Sequence, residues 1–329
     1  MEEYDLELIS ARRGRGSYIC ETSLGTKLLA DYNGSEKKAA FTSQLLQHME
    51  EKGYQPVDKA VANKEGRLLC RDRDEQSYIL KDWYEGRECD TKNNTDVRQA
   101  VSSLARLHGY MVWKPEEKTE YAGEDLRDIW RRHNRELKKI YEFIRKRKQK
   151  TGFESLFLKE YDRFAQQAKA AAWELEQSGY EELYQNSLKM GQLCHGNYNQ
   201  HNVYFLGRRQ IFTANFEKCG YDIQINDLYQ FVRKIMEKQE WSPQTGDQIL
   251  DAYSRERPLA DREVAYLKIR LSYPEKFWKI SNQYYNHRKS WIPPKTLEKL
   301  QKVLAQNEER HTFLKQFASF LNTLDKNFL

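Results

Sequence analysis

At 329 residues, with 21 Tyr, 14 Phe and 7 Trp beside 32% charged residues, the chain has ample apolar and aromatic side chain for a sizeable core, which excludes a disordered protein and leaves room for two domains or two lobes. The net charge of +6 is modest, and much of the basic excess lies between Arg131 and Lys150, so a general affinity for nucleic acid is excluded and any attraction to polyanions is local. Five scattered cysteines (Cys20, Cys70, Cys89, Cys194, Cys219) with no CxxC exclude a disulfide framework and a zinc site and read as reduced thiols.

No apolar run approaches about 18 residues, and the amino terminus, MEEYDLELIS, is acidic, so neither a membrane span nor a secretory signal is predicted and synthesis in the cytoplasm is expected. Residues 4 to 32 alternate β-prone runs with turns and predict a three-strand meander. Its first turn, RGRG with Gly14 and Gly16, reads as a plain hairpin turn, with a phosphate-covering loop as the alternative, for which two glycines are a weak signal. From Ser35 to Gly53 the chain predicts a helix, with Ser35 as N-cap, Glu36 in the first turn, Phe41, Leu45 and Met49 on one face, and Gly53 as the stop. The runs VDKAVAN, RLLCRD and SYILKDW then predict three further strands. Lys81, on the last of them, is expected at the surface.

Beyond Asp90 the sequence turns helical, with no proline between Pro115 and Pro243. Residues 95 to 112 predict an amphipathic helix in which His108 is a satisfied core or cap histidine. Residues 126 to 150 predict a second helix, with Leu137, Ile140, Tyr141 and Ile144 on one face and ten Lys or Arg from Arg131 onward, read as a solvated face. Residues 155 to 178 predict a third, whose aromatic stripe is core. Further helices are expected at 244 to 254, 260 to 271 and 295 to 325, and Asp227 is expected to begin a helix as its N-cap.

Between these helices lies LCHGNYNQHNVYFLGRRQIFTANFE, residues 193 to 217. Two apolar runs, 203 to 206 and 211 to 214, flank the turn GRRQ and predict a β-hairpin. The loop entering it carries His195, Asn197, Asn199 and Asn202, and the loop leaving it carries Asn215 and Glu217. These are magnesium- and phosphate-type ligands gathered at one hairpin end.

HGNYNQHN followed by NFE resembles the catalytic and metal-binding segments of the aminoglycoside phosphotransferase and choline kinase-like superfamily, whose pattern is HGDxxxxN and then D-F/W-D/E. The segment YPEKFWKISNQYYNHRKSWIPPKTLEKL, residues 273 to 300, together with GSEKK, KDWYEGREC and HGNYNQHNV, resembles more narrowly the CotS family of spore coat proteins, over nearly the whole chain. This resemblance implies an α+β, two-lobed protein-kinase-like fold: a small antiparallel β lobe with one helix (1–83), a hinge (84–90) and a larger, mainly α-helical lobe (91–329). It also implies synthesis in the mother cell of a sporulating bacterium, deposition in the spore coat, and other spore coat proteins as partners.

Carried over residue by residue, the resemblance puts the catalytic base position at Asn197 beside His195, the metal positions at Asn202, Asn215 and Glu217, the phosphate-anchoring lysine position at Ala30, the phosphate loop at Gly14 and Gly16, and an architectural aspartate at Asp227. Lys27 lies three residues before Ala30, on the opposite face of a strand. An amide at position 197 does not accept a proton near neutral pH, which forfeits a base contribution of roughly 10²–10⁴-fold. Asn215 offers a metal a carbonyl without charge, and no acid lies between Phe41 and Met49 to partner an anchoring lysine. For an active member the resemblance implies ATP and magnesium. The combined losses make a pseudokinase with a structural or assembly role in the coat the expected reading, and an ATP-dependent phosphotransferase acting on a small molecule or coat component the alternative.

Overall fold

The computed structural model describes residues 2–14, 16–114, 121–207, 210–286 and 295–324. Strands β1 (Leu8–Gly14), β2 (Ser17–Thr22) and β3 (Gly25–Asp31) form the expected meander. Helix α1 (Glu36–Glu51) follows, with the Ser35 hydroxyl accepting from the Lys38 amide at 3.2 Å, so the predicted cap is the observed one. Strands β4 (Leu69–Arg71) and β5 (Ser77–Asp82) complete a five-stranded antiparallel sheet in the order β1-β2-β3-β5-β4. Residues 57 to 63 are not the expected strand. They run beside β5 through one isolated bridge, Ala60 to Lys81, before the Asn63 side chain accepts from the amides of Glu65 and Arg67 and turns the chain away.

The short strand β6 (Arg87–Glu88) leads into α2 (Asn94–Tyr110), α3 (Leu126–Lys146), α4 (Gly152–Gln177) and α5 (Tyr180–Met190). Helix α3 is shorter than the charge run suggested, because Arg147 turns extended and Thr151 then opens α4 with a capping box to Glu154. Helix α5 was not anticipated; its N-cap, Gly179, makes no side-chain capping bond, so the sequence carries no start signal there. Strand β7 (Leu193–Cys194) precedes the hairpin of β8 (Val203–Leu206) and β9 (Gln210–Thr213), and β10 (Gly220–Tyr221) pairs back onto β7. The C-terminal part is α6 (Ile225–Met236), α7 (Pro243–Ser254), α8 (Asp261–Ser272), α9 (Glu275–Asn286), α10 (Lys295–Ala305) and α11 (Asn307–Leu324), so the single segment expected from 295 to 325 is two helices.

The architecture is the expected α+β, two-lobed kinase-like one: a small sheet with one helix, and a larger helical part. Its cores do not follow that division. The main core joins Phe41, Leu45 and Met49 of α1 to Val101 and Leu104 of α2, Phe231 of α6 and Tyr253 of α7. A second core joins Ile140 of α3, Phe157 of α4, Phe277 of α9 and Leu300 of α10. On α9, Phe277, Ile280 and Tyr284 share the buried face, as their helical spacing predicts. Trp291 lies outside the described residues. All five cysteines are free.

Candidate functional site

The loop entering the hairpin is held from below. Asp227 does not cap α6, which starts at Ile225 with Gln224 before it. Its buried carboxylate accepts instead from the backbone amides of His195 at 2.6 Å and Gly196 at 2.9 Å. Pairing of β10 with β7 brings the two loops together at Gly196, where φ is +75° and a Cβ would collide with the Lys218 carbonyl, so only glycine fits. His195 is fully buried and ties one loop to the other: its Nδ1 accepts from the Asn197 amide at 3.2 Å and its Nε2 donates to the Ala214 carbonyl at 3.0 Å. An amide only donates and a carbonyl only accepts, so these partners set the tautomer with hydrogen on Nε2. His195 therefore braces the loop and does not face a reactant.

Above this base the asparagines form a directed chain. Asn202 Nδ2 donates to the Asn197 carbonyl at 2.9 Å, Asn215 Nδ2 donates to Asn202 Oδ1 at 2.8 Å, and Asn215 Oδ1 accepts from Lys81 Nζ at 2.7 Å. An ammonium stands at one end and a carbonyl at the other, so both amide orientations are determined. Asn199 adds a donor to the Asn197 carbonyl at 2.7 Å and to its side-chain oxygen at 3.1 Å. Asn215 sits in the left-handed region, φ 69° and ψ 62°, a conformation asparagine tolerates better than most residues.

Lys81 is the main correction to the expected site. It is not a surface residue but 2% exposed, and its ammonium contacts Glu217 Oε1 at 2.6 Å and Asp58 Oδ2 at 3.0 Å besides Asn215. Burial alone would push its pKa down, but the charges of Asp58 and Glu217 outweigh that and hold it above the ordinary lysine value. Burial likewise works to raise Glu217, yet Lys81 brings that carboxyl below its usual range. Asp58 is pushed up by burial against the pull of Lys81, and its Oδ2 also accepts from the Asn215 amide at 2.7 Å. The sequence did carry a signal for Lys81. Ile79 and Leu80 are both apolar, so β5 is covered on both faces, and a lysine two residues beyond Ile79 shares its buried face. Asp58 gave no comparable signal.

A cleft of about 710 Å³ opens beside this network. Gly14 and Ser17 line it from either side of the first turn, Ile19 and Leu28 from the sheet, Trp83, Glu85 and Gly86 from the linker after β5, and Tyr204, Asn202 and Asn215 from the hairpin side. Gly16 takes the turn itself, with φ +81°. Arg12 and Glu85 form an ion pair within the lining. Ala30 lies two residues beyond Leu28 on the same face of β3, but its methyl packs with Tyr32, Ala39, Leu69 and Ile79. Lys27, on the opposite face, pairs with Asp82 at 2.6 Å. Lys81, Asp58 and Glu217 do not line the cleft; with Tyr32 and residues of α1 they surround a separate cavity of about 20 Å³.

A hard divalent cation asks for free oxygen ligands, preferably charged. Both amide oxygens at the expected metal positions already accept a hydrogen bond, Asn202 Oδ1 from an amide and Asn215 Oδ1 from an ammonium, and Oε1 of Glu217 pairs with the same ammonium. Among the described residues no group of three His, Cys, Asp or Glu is placed to hold a metal ion. The donor set as folded does not fit magnesium.

Residues 1–317 match the family model described as "Spore coat putative kinase YutH". Spore coat protein S of Bacillus subtilis (strain 168) is 26% identical over 313 residues, covering 93% of this chain and 88% of that protein. Among solved structures, the aminoglycoside phosphotransferase from Alicyclobacillus acidocaldarius superposes with a TM-score of 0.86 at 18% identity, covering 98% of this chain and 95% of that one. A spectinomycin phosphotransferase in complex with ADP and spectinomycin gives 0.65 at 11% identity, covering 93% and 95%. At such identities the two structures show a shared fold.

Proposed function

Since the chain belongs to this spore coat family, we propose that it is a pseudokinase of the spore coat, with a structural or assembly role and without phosphoryl-transfer chemistry. On this reading it is made in the mother cell and lies beside other coat proteins; deposition in the coat is what the name of its Bacillus subtilis relative, Spore coat protein S, supports. No helix among the described residues is long and apolar enough to cross a membrane. Residues 84–90 serve as the linker between residues 1–83 and 91–329.

One observation carries the proposal: the directed path from Lys81 through Asn215 and Asn202 to the Asn197 carbonyl, which occupies the oxygens a metal would need. The missing base at Asn197 and the methyl of Ala30 point the same way, since phosphoryl transfer rests on positioning and on neutralising charge. Incubation with labelled ATP and magnesium or manganese, with sugars, aminoglycosides or coat extract as acceptors, is expected to give no transfer. Transfer that disappears in Glu217→Gln would overturn the proposal.

A second reading, an ATP-dependent phosphotransferase acting on a small molecule or coat component, draws on the open cleft and on the buried Lys81–Asp58 ion pair as a displaced lysine anchor. Against it, Lys81 lies behind Asn215 and outside the cleft lining. The same assay decides, because an anchoring Lys81 requires measurable wild-type transfer that Lys81→Met abolishes.

A further inference from the structure

We propose that the Lys81 ammonium is a built-in replacement for a divalent cation, and that removing it uncovers a metal-binding site made of Asp58, Asn215 and Glu217. The inference rests on the pseudokinase reading and extends it by naming what closes the site. Three oxygens from two separate segments, Asp58 Oδ2 from one and Asn215 Oδ1 and Glu217 Oε1 from the loop after β9, converge on Nζ within 2.6–3.0 Å. The ammonium is tethered to β5, is 2% exposed, and supplies positive charge between two carboxylates without any cation from solution. It also fixes the direction of the Asn215 carbonyl, which turns to Lys81 and leaves only the amide nitrogen for Asn202.

Asp58 Oδ1 is the independent sign that this pocket is built for more than one ammonium. It is buried, the residue is 4% exposed, and no donor among the described residues reaches it. A lysine directs its hydrogens at single oxygens, whereas a divalent ion takes a carboxylate by one oxygen or both and fills a larger shell with oxygens and water. Two carboxylates and an amide carbonyl are the hard-oxygen chemistry that such ions prefer over softer metals. With Lys81 in place the tethered charge excludes the ion. With a neutral side chain at 81, the carboxylates repel each other until a cation enters.

The experiment uses the full chain and manganese as probe, following free Mn²⁺ by its electron paramagnetic resonance signal and stability by thermal melting. Wild type is expected to take up no Mn²⁺ and to melt unchanged. Lys81→Met is expected to melt lower, to bind one Mn²⁺ at least about tenfold more tightly than wild type, and to regain melting temperature as Mn²⁺ is added. Adding Glu217→Gln to Lys81→Met should remove that uptake. A folded Lys81→Met that takes up no Mn²⁺ overturns the inference, as does wild-type uptake that Glu217→Gln abolishes. If Lys81→Met does not fold, Lys81→Met with Asp58→Asn relieves the stranded buried charge and keeps Asn215 and Glu217; Mn²⁺ uptake by it supports the inference and its absence overturns it. Phosphoryl transfer by wild type would defeat the pseudokinase reading, whereas a metal-silent, folded Lys81 variant defeats only the built-in cation.

Discussion

His108 shows how a single buried residue links the loop beneath the site to solution pH. It is fully buried, with Nδ1 2.6 Å from the Tyr253 hydroxyl and Nε2 3.3 Å from Asp227 Oδ2. Burial holds its pKa below the ordinary value despite the pull of Asp227. The fold therefore favours the neutral ring: the stability this provides is complete above the unfolded pKa of about 6.5 and is lost as pH falls toward the folded pKa, at about 1.4 kcal/mol per unit of difference. Melting temperature is expected to drop from pH 7 to pH 5 by more in wild type than in His108→Gln. The comparison between the two isolates His108 from His133, which burial also depresses. An equal drop in both proteins would place the acid sensitivity elsewhere. At the same scale, Phe277 is fully buried and stacks on Phe164 with ring centroids 4.2 Å apart, so Phe277→Ala is expected to cost about 3–5 kcal/mol in chemical denaturation. Trp278 is half-buried, stacked on His133, and its Nε1 donates to Glu136 at 2.7 Å. It packs against the second core.

Helix α3 carries the basic run, and its two faces have opposite fates. Leu137, Ile140 and Ile144 are buried against α4 and α9, while Lys138, Lys139 and Lys146 are exposed. The ion pair Lys138–Glu142 is 3.9 Å long and solvent-facing, so it contributes little. Lys138→Gln, Lys139→Gln and Lys146→Gln are each expected to change stability by under about 0.5 kcal/mol, whereas Ile140→Ala is expected to cost about 2–5 kcal/mol, both read from urea midpoints. A triple lysine variant that melts normally yet is lost from the coat would show that the face docks an acidic partner. Normal incorporation keeps it a solvated face.

Across the whole molecule, the two lobes are fastened through α1. Phe41 meets the rings of Tyr121, Trp113 and Tyr221 at 4.6, 5.6 and 5.9 Å, and Lys38 donates to the Cys219 carbonyl while its Nζ lies 4.5 Å from the Tyr121 ring centre. Leu45, Leu46 and Met49 continue the same face into the main core. A core that crosses the boundary unfolds with both sides, so calorimetry is expected to show one transition with equal calorimetric and van't Hoff enthalpies. Phe41→Ala should lower that single transition by about 3–5 kcal/mol without splitting it. Two separable transitions in wild type would show that the lobes fold independently.

What the sequence determined by itself was whatever short-range pattern controls: the Ser35 cap, the hairpin around GRRQ, the buried face of α3, and, through its family motifs, the two-lobed fold. Asp227 was legible as architectural, but its contact with the His195 and Gly196 amides was not, because helix spacing indicates a start and says nothing about which loop lies beneath it. Only the tertiary structure decided the fate of Lys81. A lysine beside Asp82 at a strand end reads as solvated, and whether it is depends on what covers that face. Here Asp58 arrives from one distant segment and Asn215 and Glu217 from another, and their oxygens offset the cost of burying an ammonium: strand alternation points Lys81 to the covered face but does not supply the partners that meet it there.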